Sequence, residues 1–462
     1  MKLLIKNGTI VNADRELLAD ILVCGRSIER IAKNIPLPAG PSVKMIDATG
    51  MLVFPGGVDP HVHMSLPTGA GRSSDDFYTG SRAALMGGTT TLIDFVTPSR
   101  GVSLTGALTC RHREAEGSMA DYSFHVSPVE WTDTTADEIR ACVKAGLPSF
   151  KLYMAYKGAI GIDDEVMEKV MGVVARSGGM VTVHCETGDE IEMLRRELAF
   201  SGQLGPASHP VSRPPHTESR AVEKAISVAE KTACPLYIVH VSAAQSLEHI
   251  RKAQNKGQPV MAEVCVHHLL LDVSLYDGPF EAAAPYVLSP PLRSEKDRDA
   301  LWQALQDKTI QVVGTDHCPF FMEQKQAGKE DFRRIANGAG GVEHRLALLY
   351  TFGVLEGRIS RQQFVDRCAT QPAKIFGLYP QKGVIAEGSD ADLVIWDPLA
   401  MRMISASTHH QNSDVNIYEG TKTRGHPNMV VSKGQIVAED GKLTGAPHGQ
   451  FLKRTLFGGP GA

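Results

Sequence analysis

The chain has 462 residues, 42% hydrophobic and 22% charged, which suits a soluble globular protein with a large core and room for a second domain. Its formal net charge is −4 and its basic residues are scattered, which argues against nucleic acid as a partner. No apolar run reaches the length that crosses a bilayer.

The first residues, Met1 to Gly8, are too short and too interrupted for a secretory signal, so a cytoplasmic protein is expected. Leu3-Leu4-Ile5 reads as a strand entering an Asn7-Gly8 hairpin turn, with Thr9-Ile10-Val11 returning. Further strands fall near residues 21–23, 28–31 and 44–46. An apolar run at 51–54 then ends in Pro55-Gly56-Gly57 and leads to His61-Val62-His63. On extended backbone these two imidazoles point the same way, a pincer for a metal ion.

Beyond this point short apolar strands alternate with helical patterns. The strand candidates are 51–54, 89–95, 121–126, 149–154, 180–184, 236–240, 259–264 and 311–314. Val166, Val170, Val173 and Val174 mark one helix face after the acidic start Asp163-Asp164-Glu165. Thr135-Ala136-Asp137-Glu138 and Ser294-Glu295-Lys296-Asp297 have capping-box form. Eight strands with helices between them predict an α/β fold, a TIM-type (β/α)8 barrel whose site lies where the strands end. The other arrangement is a doubly wound open sheet, and the Gly-rich phosphate loop that would favour it is not found. Strand patterns return at 392–396, 429–431 and 435–437, the last two separated by a Lys433-Gly434 turn. The expected organisation is a barrel over 53–375 and a smaller β-sandwich assembled from 1–52 and 376–462; two separate β caps are the alternative. Eight cysteines without Cys-x-x-Cys spacing read as reduced and mostly buried. Cys185 and Cys318, each beside a candidate ligand, read as packing.

The carboxyl ends of the predicted strands carry His61 and His63, Lys151, His184, His240 and Asp316. Four imidazoles, a carboxylate and a lysine exceed one tetrahedral ion and suit two ions that share a ligand. An ammonium has no lone pair to offer a cation. Phe150, Leu152 and Tyr153 would lower the pKa of Lys151, and a neutral amine can take up carbon dioxide to become a bridging carbamate.

Four runs resemble the dihydropyrimidinase and hydantoinase family of cyclic amidohydrolases, and the resemblance extends over nearly the whole chain. They are Val58-Asp59-Pro60-His61-Val62-His63, Ser149 to Tyr156, Leu288-Ser289-Pro290-Pro291-Leu292-Arg293 and Gly314-Thr315-Asp316-His317-Cys318-Pro319-Phe320. The resemblance implies two divalent ions, usually Zn2+ with Mn2+ or Co2+ as substitutes, joined by N6-carboxylated Lys151. His61, His63, Lys151 and Asp316 would hold the more buried ion, and Lys151, His184 and His240 the more exposed one. It implies Asp316 as proton shuttle, Tyr156 as donor to the oxyanion, and backbone around Ser289 and Asn337 as the grip on the ring's imide edge. The reaction implied is opening of a 5,6-dihydropyrimidine or 5-substituted hydantoin to the N-carbamoyl amino acid. The partners implied are a small-molecule substrate and three further copies in a homotetramer. Met64 to Pro67 and Tyr153 are expected to shape a mostly apolar pocket. A dihydroorotase relative would be expected to place an arginine soon after the two histidines, where Met64 and Ser65 stand. An allantoinase-type hydrolase and a non-catalytic relative, like the collapsin response mediator proteins, are the alternatives; the complete ligand set speaks against the latter. The chain departs from the family's habit at Thr187, where asparagine is common, at Val266-His267-His268, where Pro-Gln is frequent, and at His344, where aspartate is usual. None of these removes a metal ligand.

Overall fold

Eight parallel strands line up in chain order in the computed structural model, which describes residues 2–38, 43–445 and 449–459. They are β1 (Gly57–Val62), β2 (Thr89–Val96), β3 (Asp121–Val126), β4 (Ser149–Tyr153), β5 (Met180–His184), β6 (Leu236–Ile238), β7 (Val260–Cys265) and β8 (Val312–Gly314). All their residues except Met261 are buried, as strands covered on both faces must be. The ring nearly closes through a bridge between Val62 and His317 just past β8, where His63 N donates to His317 O at 2.8 Å. This is the predicted TIM-type barrel.

The helix Asp164–Arg176 starts at Asp163, whose carboxylate accepts from Val166 N at 2.9 Å, and it buries Met167, Val170, Met171, Val173 and Val174. Ser294 and Asp297 form the expected capping box of helix Glu295–Gln306. The other box does not form. Thr134, not Thr135, is the N-cap of helix Thr135–Lys144 and makes no capping bond, its hydroxyl donating to Glu138 Oε1 at 2.8 Å, while the Thr135 hydroxyl accepts from Thr132 N at 2.9 Å.

Both termini supply a second, nine-stranded sheet. Its order is Lys442–Leu443, Gln435–Glu439, Lys422–Ser432, Leu393–Met403, Leu52–Pro55, Lys2–Val11, Glu16–Cys24 and Ser27–Ala32, with Val43–Asp47 also beside Lys2–Val11. One continuous sheet replaces the alternative of two caps. Leu3, Ile5, Ile21, Val53, Leu393 and Val431 form its own core, while Phe54, Val394, Trp396 and Val430 join the core of the barrel.

Two sequence expectations are corrected here. The run at 51–54 does not open the barrel: Leu52–Pro55 pairs antiparallel with Leu393 to Trp396 in the terminal sheet, and β1 begins at Gly57. Only Gly56 separates the two strands. A Cβ there would lie 2.1 Å from Thr90 Oγ1, so the sharp transfer between sheets needs glycine. Asn7-Gly8 is not a hairpin turn either. Lys2–Val11 is one strand with a bulge, where Asn7 adopts φ 62° and a Cβ on Gly8 would lie 2.7 Å from Val53 Cγ2. Lys433-Gly434 does make its predicted hairpin. All eight cysteines are free and six are buried. Among the described residues no helix is long and apolar enough to cross a membrane.

A buried charge network fastens the terminal sheet to the barrel. Lys382 Nζ lies 2.7 Å from Asp121 Oδ2 at the start of β3, 2.7 Å from Asp392 Oδ2 and 3.0 Å from Asp390 Oδ2. Lys433 Nζ adds a contact to Asp121 Oδ1 at 2.6 Å. Burial pushes the Asp121 carboxyl up, but the two ammonium groups outweigh it and hold it below the usual carboxylate range. Lys382→Met leaves these carboxylates undercompensated, with an expected loss of about 3–5 kcal/mol in urea unfolding. A depressed carboxylate stabilises fully above its unfolded value, about pH 4, and loses that contribution as pH falls through its folded value. Asp121→Asn should therefore show a shallower loss of stability below pH 4 than the wild type.

Candidate metal centre

The carboxyl ends of the barrel strands surround one cavity of about 930 Å³. His61 lies in β1 and His63 just after it, Lys151 in β4, His184 at the end of β5, His240 two residues past β6 and Asp316 two past β8; all six line the cavity. Asp316 Oδ1 lies 3.0 Å from His61 Nε2 and 2.9 Å from His63 Nε2. His61, His240 and Asp316 each place a ligand atom within 4.8 Å of the other two. His184 Nδ1 and His240 Nε2 are 2.9 Å apart. Tyr156, His240 and Asp316 have φ of 60°, 39° and 48°, a left-handed backbone that turns three side chains at loop starts and is sparsely used by non-glycine residues.

The donor set fits a metal. His61 Nε2 is buried without an aligned hydrogen-bond partner despite its closeness to Asp316, and His63 Nδ1 has none either. Buried ring nitrogens are ordinarily paired, so the orphan His61 Nε2 beside a carboxylate in the cavity suits a cation. Glu263, mid-strand in β7, holds His61 Nδ1 at 2.7 Å and accepts from Tyr237 Oη at 2.9 Å and His240 N at 3.2 Å. Such a bond fixes the tautomer and presents Nε2 to the cavity. Burial lowers the pKa of His61, yet Glu263 and Asp316 outweigh it and pull it up to about 9, which marks a place where positive charge is favoured. His184 Nε2 is held by Glu186 Oε2 at 2.7 Å, and Glu186 in turn pairs with buried Arg213. Burial alone would raise the Glu186 carboxyl; Arg213 and His184 bring it down to about 2.

Lys151 is buried with its Nζ 4.9 Å from the Phe95 ring centroid and 5.0 Å from that of Tyr153. Desolvation lowers it to about 8 against the pull of Asp316 and Glu263. The Tyr156 ring lies 5.2 Å from that of His184, and burial, opposed by Arg213, pushes its phenol up to about 12, so it remains a donor at neutral pH. Ser289 Oγ donates to Asn337 Oδ1 at 2.8 Å, which brings these two candidates together at the rim. Buried Lys325 braces both segments, donating to Val287 O at 3.3 Å, Ala336 O at 2.9 Å and Gly338 O at 3.0 Å.

Leu66, Pro67 and Tyr153 line the cavity as expected, and Met64 and Ser65 do not. Met64 is fully buried, its N donating to Asp94 Oδ2 at 2.7 Å and its side chain packed on Gly80. Thr187, His267, His268 and His344, the departures from the family's habit, also lie off the cavity wall. Sequence reasoning missed Glu263, Arg213 and Lys325. Only Glu263 had a signal, a carboxylate in the middle of the apolar run Val260–Cys265.

The model of the amidohydrolase family matches residues 52–437. The D-hydantoinase of Ralstonia pickettii is 42% identical, covering 99% of this chain and 100% of its own. A crystal structure of D-hydantoinase superposes with a TM-score of 0.97 at 41% identity, over 99% of this chain and 100% of that one. The dihydropyrimidinase from Brevibacillus agri NCHU1002 gives 0.97 at 40% identity over 100% of both chains.

The Lys325 brace generates a prediction. Lys325→Met leaves three carbonyls without their shared donor, with an expected loss of about 1–3 kcal/mol in stability. Amide hydrogen exchange at residues 336–338 should quicken more than in the barrel strands, and uniform protection there would contradict the brace.

Proposed function

The chain belongs to the amidohydrolase family, within its hydantoinase and dihydropyrimidinase group of cyclic amidohydrolases, and from this we propose that it opens 5-substituted hydantoins and 5,6-dihydropyrimidines to N-carbamoyl amino acids with the help of two divalent ions. The observation that supports the reading most directly is the convergence of His61, His63, Lys151, His184, His240 and Asp316 on one cavity. In this reading His61, His63, Lys151 and Asp316 would hold one ion and Lys151, His184 and His240 the other. The nitrogen-rich donor set suits zinc, with manganese or cobalt as substitutes. Such ions, when bound, acidify a water molecule and polarise the substrate carbonyl.

The chain's own groups supply the rest. Lys151 reacts as a neutral amine with carbon dioxide: an N–C bond forms, one proton leaves, and the carbamate offers two oxygens. Its desolvated setting favours the neutral amine this needs. Asp316 accepts the proton of the attacking water and hands it to the departing ring nitrogen. Tyr156 donates its phenol hydrogen to the oxyanion. Backbone at Ser289 and Asn337 binds the imide edge of the ring. Leu66, Pro67, Ala70, Tyr153, Ile160 and Ile335 face the ring's substituent, and of the three arginines nearby two are engaged elsewhere while Arg334 is exposed. Arg100 donates to Ala159 O and Gly161 O, and Arg333 pairs with Asp331 at 2.7 Å. A neutral or aromatic 5-substituent fits this lining better than a charged one. A homotetramer in the cytoplasm, and a division at Gly56 and at residue 375, belong to the same reading.

Three experiments test it. On a panel of 5-phenylhydantoin, 5,6-dihydrouracil and allantoin, with metal content measured alongside, the first two should be turned over and allantoin should lag. Turnover confined to allantoin would overturn the substrate assignment. Asp316→Asn should keep most of the metal while kcat falls by roughly 10²-fold or more; a near-normal kcat with both ions present would assign the proton to another group. Lys151→Ala should lose at least one ion and Lys151→Arg should do no better, because guanidinium stays charged. A short carboxylic acid should partly restore metal and rate to Lys151→Ala, and native intact mass should show the added carbon dioxide on the wild type. Full metal and activity in Lys151→Ala without added acid would remove the carbamate.

A further inference from the structure

Strand β7 ends at Cys265 and passes directly into the short helix Val266–Leu270, a change of direction that gathers Cys265, His267 and His268. The Cys265 Sγ and one ring nitrogen from each histidine all lie within 4.8 Å of one another. All three residues are buried, at 0%, 4% and 3% exposure, and none lines the cavity of the candidate metal centre. The two histidine rings pack edge to face with centroids 4.3 Å apart.

The state of the ring nitrogens turns this cluster from packing into a donor set. His268 Nε2 donates to Pro290 O at 3.1 Å. A carbonyl only accepts, so the proton of neutral His268 sits on Nε2 and Nδ1 carries the bare lone pair. That Nδ1 has no hydrogen-bond partner, and neither does His267 Nε2. Two orphaned imidazole nitrogens in a dry interior are costly, and a thiol is a weak donor that satisfies them poorly. The bond from His268 to Pro290 is the outer-shell support that ligating histidines commonly have.

We propose that Cys265, His267 and His268 form a separate mononuclear site for a thiophilic divalent cation of the zinc or cobalt type. One sulfur and two imidazoles match the ligand softness and number of such ions, with a fourth position left for water, while the lack of an oxygen donor among the three disfavours calcium and magnesium. Binding breaks the Cys265 S–H bond, forms the sulfur–metal bond and releases one proton to solvent. Cys265 Sγ lies 4.0 Å from Glu263 Oε1, the same oxygen that holds His61 Nδ1. An ion here would therefore sit behind the candidate centre and one residue away from its first histidine.

Cobalt is the probe, since a thiolate bound to cobalt gives a near-ultraviolet charge-transfer band and the six cavity-lining candidates contain no sulfur. The full chain, freed of metal and saturated with cobalt, should show this band, and Cys265→Ser should abolish it with loss of one cobalt per chain. His267→Gln should weaken or shift the band with the same loss. Cys318→Ser, which alters the thiol that does line the cavity, should leave it in place. Absence of the band from the cobalt-saturated wild type, a measurement that needs no variant to fold, would overturn the proposal. So would a band that survives Cys265→Ser and disappears with Cys318→Ser.

Discussion

The site depends on the backbone pairing that closes the barrel. His63 N donates to His317 O and His317 N to His61 O, at 2.8 and 3.4 Å, so the end of the first strand is registered against the residue that follows Asp316. The His317 side chain locks this seam. Its Nε2 bonds Asp75 Oδ2 at 2.9 Å, and its Nδ1 accepts from Gly341 N at 3.1 Å. Burial would raise the Asp75 carboxyl, but His317 outweighs it and keeps it ionised. Without that seam the two histidines and the aspartate would belong to opposite edges of an open sheet.

Three buried lysines show how environment divides one residue type. Lys382 sits among carboxylates, which overcome its burial and raise its pKa. Lys325 meets backbone carbonyls and the Phe320 ring, with no carboxylate to offset its burial, which lowers it to about 7. Lys151 meets two aromatic faces and drops to about 8, largely by desolvation. The first joins two sheets and the second stiffens a rim. Burial favours the neutral amine in the second and the third alike, and what sets Lys151 apart is that it alone of the three lines the cavity.

Much of this was legible because barrel strands and site residues are both local signals. Apolar runs such as 236–239 mark strands covered on both sides, and His61, His63, His184 and Asp316 lie where such strands stop. What stayed hidden depends on distant partners. Arg213 is explained only by Glu186, and Glu263 by His61, 202 residues away. Lys325 answers to carbonyls that no side-chain pattern reports. The two misplaced boundaries have the same origin. Pro55-Gly56-Gly57 reads as a strand end because the sharing of its neighbours between two sheets is a tertiary fact, and Asn7-Gly8 reads as a hairpin because a left-handed residue serves a bulge equally well.

The sheet shared by both termini has a consequence for biosynthesis. Leu52–Pro55 leaves the ribosome long before its neighbour Leu393–Met403, with the entire barrel translated in between. At roughly 5–20 residues per second, that interval lasts on the order of 20–70 s, during which an apolar strand edge has no native partner. The amino-terminal strands can pair among themselves, but the edge that later receives Leu393 to Trp396 stays open to other chains. A nascent protein of this design is most exposed to misassembly through a segment that, once complete, is among its most deeply buried.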